Sequence, residues 1–170
     1  ILSLEYQPPA EVLDWANKVV AEHTSHRVIV NTHSFLNVND RNEIGESVWN
    51  AFVRKHSNIF LVVSGHLSVG RRADKGDNGN TVHQVLANYQ GHRRGGNGWL
   101  RVLRFFPEED RIEVSTYSTV LQRYMGTGDP KWSRLEDNAF DLYYDMADPV
   151  TPRLAASSFK GTPAKFKKDP

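Results

Sequence analysis

A chain of 170 residues with 39% hydrophobic and 24% charged side chains holds enough apolar material for one cooperative core, which excludes disorder throughout. Twenty-one Lys and Arg against 20 Asp and Glu leave a formal charge of +1, too even a balance to name nucleic acid as a partner. No cysteine is present, so disulfides and thiolate metal sites are excluded, and the longest apolar run, Ile59 to Val63, falls far short of the roughly 18 residues that cross a bilayer; no membrane association is expected.

Leu2-Ser3-Leu4-Glu5-Tyr6 reads as a strand already under way, closed by Pro8-Pro9. Ile1 opens the chain without a signal-peptide pattern, and the expectation is a segment of something longer. Val12, Trp15, Ala16 and Val19 fall at helical spacing over residues 9–22, and a strand is predicted at 27–31. Residues 32–46 are polar and read as a long loop, after which Val48, Trp49, Phe52 and Val53 mark a second short helix ending near His56. A strand at 58–64 completes the order strand, helix, strand, helix, strand, the pattern of βαβ units with parallel strands.

After Gly65 the composition shifts. Gly70-Arg71-Arg72 and Lys75 to Asn80 read as a Gly-rich, charged loop ahead of a strand at 81–89. A Gly cluster at 95–98 leads into a strand at 99–106, which Pro107 to Asp110 joins to 111–118 as an antiparallel hairpin. Trp99, Phe105, Phe106 and Tyr117 are read as sheet core. Beyond Tyr124 the periodicity weakens, and residues 125–170 read as an extension or linker, with 160–170 as a lysine-rich tail.

Two histidines stand immediately beyond predicted parallel strands, His33 after Val28 to Thr32 and His66 after Phe60 to Gly65. Ligands of open α/β sheets bind outside the carboxyl ends of the strands, so two imidazoles delivered there can converge on one metal ion; an ordinary loop histidine bonded to the backbone remains the alternative for each. Asp40, Glu43 and Glu46 follow as candidate oxygen ligands or as a solvated loop face. The stretch from Asp74 to Asn80 lacks the register of a calcium loop and is read as turn chemistry. Arg71 and Arg72, with Arg93 and Arg94, offer forked donors to an anion or are rim charges. His83 reads as packed, and His23, His26, His56 and His92 as surface residues. No nucleophile elbow, P-loop, dinucleotide fingerprint or His-Glu-x-x-His helix occurs.

Taken together, Thr32-His33 after one strand and Gly65-His66-Leu67-Ser68 after the next resemble the last two signatures of calcineurin-like metallophosphoesterases. Leu4-Glu5-Tyr6, Trp15-Ala16-Asn17, Trp49, Arg54 to Asn58, Gly76 to Asn80 and Gly95 to Arg101 look like the C-terminal half of bacterial secreted members. The resemblance spans residues 1–124 and implies an α/β fold, part of a two-sheet sandwich flanked by helices, with the N-terminal strands missing from this chain. It implies metal-dependent phosphoester hydrolysis at a dinuclear site of Fe, Zn or Mn, with His33 and His66 as ligands and Arg71 or Arg72 near the phosphate of a phosphoester substrate.

Two departures accompany it. A second histidine usual in the family's last signature is here Ser68, a much weaker ligand, so the second of the two metal ions is in doubt. The earlier aspartate and asparagine-histidine signatures do not occur, so a companion chain carrying the N-terminal half of the core is expected to complete the site. A catalytically inactive phosphoesterase-like scaffold is the alternative function. An extracellular or periplasmic location follows from the resemblance alone.

Overall fold

The computed structural model describes residues 1–126, 129 and 134–146. Its first unit is a five-stranded sheet in the order β1 (Leu2–Leu4), β2 (Val28–Thr32), β5 (Ile59–Ser64), β7 (Thr81–Ala87) and β6 (Val69–Lys75). The first four strands run parallel and β6 closes the sheet antiparallel to β7. Parallel neighbours need crossovers, and α1 (Ala10–Glu22) and α2 (Glu43–Ala51) supply the first two. The chain is therefore mixed α/β, as its alternating pattern predicts.

Leu13, Ala16 and Val20 are the buried stripe of α1, with Val12 and Val19 half-buried beside them. Trp15 corrects the sequence reading: it stands 51% exposed on the outer face. Val48, Trp49, Phe52 and Val53 are all buried as expected, and Asn42 caps α2 by accepting the Gly45 N–H at 2.9 Å. These helices cover one face of the sheet through Leu4, Val30, Val62 and Leu86. No helix among the described residues is long and apolar enough to cross a membrane.

A second sheet covers the other face. Its centre is β9 (Arg111–Ser118), which pairs along its full length with β8 (Trp99–Phe106) on one side. On the other side it pairs with β10 (Arg123–Tyr124) and β11 (Phe140–Tyr143). Alternate residues of β9, including Ile112 and Val114, turn inward and meet Phe60, Leu61 and Val85 of the first sheet. Strand β11 lies in the stretch where the sequence periodicity weakens. Residues 147–170, including the lysine-rich tail, lie outside the described residues.

Three local readings are corrected. Residues 32–46 are not a continuous loop: β3 (Leu36–Asn37) and β4 (Asp40–Arg41) form a hairpin around Val38-Asn39, and α2 begins at Glu43. Residues 69–75 form strand β6, and the turn chemistry is confined to Gly76 to Asn80, where Asn80 Nδ2 donates to the carbonyls of His56 and Ile59. Of the aromatic set read as core, Trp99 is buried, but Phe105 is 40% exposed and Phe106 lies under the Arg111 guanidinium at 4.3 Å.

Candidate metal centre

Because β1, β2, β5 and β7 run parallel, their carboxyl ends share one edge of the sheet, and the residues just beyond them gather there. His33 follows β2 and His66 follows β5, one strand over. His33 Nε2 stands 3.0 Å from His66 Nδ1, and both rings are exposed. The ring of Tyr6, beyond β1, meets His33 edge-on with centroids 5.4 Å apart and lies 6.0 Å from that of His66. Sequence reasoning missed Tyr6. Its signal was positional: it follows, two residues on, the end of the strand adjacent to the one that delivers His33.

The backbone holds the two loops against each other. Gly65 N–H donates to the His33 carbonyl at 3.1 Å, and Asn88 Nδ2, beyond β7, donates to the His66 carbonyl at 2.6 Å. His66 itself has φ of 71° and is flanked by a Leu67 N–H to Gly65 carbonyl bond of 2.9 Å. This is a γ-turn with its central residue at positive φ, a strained conformation for a side chain with a Cβ. Such strain persists where the surroundings over-determine it, and it aims this imidazole at its neighbour.

Two nitrogens each about 2.1 Å from one ion and about 90° apart around it are themselves about 3.0 Å apart. The His33–His66 spacing thus suits two neighbouring positions in one coordination shell, and it equally suits a direct N–H···N bond between two neutral imidazoles of the same tautomer. Among the described residues no group of three or more His, Asp or Glu side chains is placed to hold a metal. Nor does any of them supply an acceptor for the outer nitrogens, His33 Nδ1 and His66 Nε2. The pair alone provides two of the ligands a metal needs.

The other candidates sit elsewhere. Ser68 is half-buried and joins the sheet through its carbonyl, which accepts the Asn88 N–H at 2.8 Å. Arg72 spends Nε and Nη2 on Asp74, at 2.6 and 3.0 Å, and Nη1 on Asp40 at 3.0 Å. Hydrogen bonding from Arg72, and then from Gln84 and Arg41, holds the Asp74 carboxyl far below the ordinary carboxylate range against the opposing effect of burial. Arg71, next along the strand, faces the other way, over the Phe140 ring at 4.4 Å. The structure does not bring the arginine pair to the imidazoles as one cluster.

Asp40 is bound to Arg72 and Glu46 to Arg41, so two of the three loop acids serve ion pairs; Glu43 is exposed in the first turn of α2. Arg93 and Arg94 are exposed on the loop before β8. His83 is packed as expected: its Nε2 meets the Tyr143 carbonyl at 2.9 Å, and burial lowers its pKa. His56 departs from the surface reading. It is half-buried, Nε2 bonded to Asn17 Oδ1 at 2.8 Å, with its pKa lowered by burial and then by Lys55. Asn17 also donates to the Leu13 and Ala51 carbonyls, and Asn58 Nδ2 to those of Val20, His23 and His26. These members of the Asn- and His-containing motifs are structural clamps.

Fold and site thus define an α/β chain with an imidazole pair at the carboxyl edge of a parallel sheet. Over 116 residues, 64% of its length, the chain is 38% identical to the uncharacterized protein YvnB of Bacillus subtilis (strain 168). The match spans 9% of the length of that protein. No family model matches the chain, and no solved structure matches it.

Proposed function

We propose that this chain is part of a metal-dependent phosphoesterase of the calcineurin-like kind, its dinuclear site completed by residues outside the chain. One observation carries the reading: two imidazoles 3.0 Å apart at the carboxyl edge of adjacent parallel strands, one of them on a strained backbone. The helix, sheet and sheet layers are in keeping with part of that family's two-sheet sandwich. His33 Nε2 and His66 Nδ1 would hold metal, and bound Fe, Zn or Mn would supply charge neutralisation at phosphorus and a more acidic water. Tyr6 packs against the rings and limits their rotation. A companion chain carrying the N-terminal half of the core would bring the missing ligands, in an extracellular or periplasmic setting.

The residues fit this role only as a partial set, and that supports a second reading, a catalytically inactive scaffold. Ser68 stands where the family places a further histidine, and the described residues offer no third ligand. Elemental analysis of the native assembly separates the two. About two equivalents of metal per chain, with turnover of 4-nitrophenyl phosphate abolished by chelator and by His66→Ala, is the result expected of the enzyme. No bound metal after reconstitution, or unchanged turnover in His66→Ala, overturns it in favour of the scaffold.

A further inference from the structure

Apart from the imidazole pair the chain makes a second feature that the metal reading leaves unused. Residues 94–98 all have positive φ: Arg94 at 56°, Gly95 at 65°, Gly96 at 101°, Asn97 at 48° and Gly98 at 65°. A left-handed turn of five residues is costly for L-residues, about 1–2 kcal/mol for each that carries a Cβ, and three glycines remove most of that cost. One of them is also sterically obligatory, since a Cβ on Gly96 would stand 2.7 Å from the Tyr89 carbonyl oxygen; one on Gly98 would crowd the side chains of Thr119 and Val120. The turn therefore lies tight against Tyr89, and it leaves a pocket of about 340 Å³ between itself and the residues following β7.

The lining of the pocket includes Asn88, whose side chain donates to the backbone carbonyl of His66. Tyr89 and Trp99 are 7% and 9% exposed, so they wall the pocket without offering an open ring face for stacking. Gln90 is exposed and its amide is uncommitted among the described residues. Arg101 also lines the pocket; its Nη2 donates to Tyr89 Oη and the Asp137 carbonyl, while Nε and Nη1 are buried without an acceptor. Neither donor meets an acceptor among the described residues, a state that calls for a partner.

We propose that this pocket binds the organic part of the phosphoester, a polar ring bearing adjacent hydrogen-bond acceptors and donors, of the sugar or nucleobase type. Its volume lies at the small end of the range for ligand sites, enough for one such ring. The amide of Gln90 reads donors and acceptors on the ring edge, and Gly95, exposed and without a Cβ, lets the ring approach the backbone closely. Only the name of the bound group rests on the hydrolytic reading; the pocket as a ring site does not.

The test is therefore binding to the full chain without metal, by ligand-observed NMR, with glucose, uridine and inorganic phosphate as separate probes. Saturable binding of glucose or uridine is expected, whichever binds naming the ring type. Phosphate should not compete with it, and Gln90→Ala should weaken it about fivefold with the melting temperature unchanged. No saturable binding of either ring at millimolar concentration, displacement of the ring by phosphate, or equal affinity in Gln90→Ala overturns the proposal. Ring binding in a metal-loaded assembly that fails to turn over phosphoesters supports the pocket while removing the hydrolytic reading.

Discussion

Substituting His66 two ways separates its backbone cost from its side-chain role. At φ of 71° a residue with a Cβ pays about 1–2 kcal/mol, and glycine does not, although glycine gives up about 0.5–1 kcal/mol of unfolded-chain entropy. His66→Ala and His66→Gly both remove the imidazole and its 3.0 Å contact with His33, so that loss cancels between them. His66→Gly should therefore be the more stable of the two by about 1 kcal/mol, or about 2–4 °C in melting temperature for a chain of this size. Urea and thermal denaturation of the two variants side by side measure the difference. An alanine variant as stable as the glycine variant would refute the claim that this turn stores strain, and with it the argument that the backbone is bent to aim the ring. Both variants should lose metal bound through His66, which elemental analysis of the same preparations checks.

Val38 offers a similar test away from the centre. It occupies the first turn position of the β3–β4 hairpin at φ of 58°, where glycine is favoured, and its side chain is 43% exposed. Val38→Gly should stabilise the chain by roughly 0.5–1 kcal/mol in urea denaturation; a loss of stability would mean that its side chain packs to more effect than its exposure suggests. The pH dependence of stability follows from His56 and His83, whose pKa values are both lowered by burial. The unfolded chain then binds more protons near pH 6, so the stability these residues contribute is present above the ordinary histidine pKa and lost as pH falls below it. Denaturation midpoints should drop between pH 7 and pH 5, and less steeply in His56→Gln/His83→Gln; a parallel drop in the variant would assign it to other groups.

The sequence announced the βαβαβ order because buried parallel strands and amphipathic helices obey strong periodicities, and once strand ends are placed, the two histidines beyond them are placed too. Strand β6 escaped notice for a physical reason. One of its faces is covered by ion pairs and hydrogen bonds, Arg72 and Asp74 with Arg41 and Gln84, where a strand usually shows apolar residues. Its Gly70 resembles a turn signal, yet a Cβ there would fall 2.0 Å from the Val38 carbonyl oxygen, so glycine answers to close packing with the hairpin. The hairpin was hidden by valine in a position that ordinarily advertises itself with glycine or asparagine. At the centre, the convergence of imidazoles could be inferred from topology. The strain at His66 and the packing of Tyr6 could not, because both depend on how loops from different strands settle against one another.

Residues 140–146 tie the two sheets together. Phe140 to Tyr143 pair with β9, His83 bonds to the Tyr143 carbonyl, and Tyr144 stacks on Phe60 with ring centroids 4.3 Å apart. Met146 N–H then donates to Asp110 Oδ1 at 2.7 Å. During synthesis the chain emerges from its N-terminus, so both sheets can form while the seam between them still lacks its last strand. Until Leu142 arrives, the inner faces carrying Phe60, Leu61, Ile112 and Val114 are closed on one side only. A nascent or truncated chain ending before residue 140 would therefore present adhesive apolar surface to its neighbours, and its fate in the cell would turn on how quickly the next few residues follow or a chaperone covers the gap.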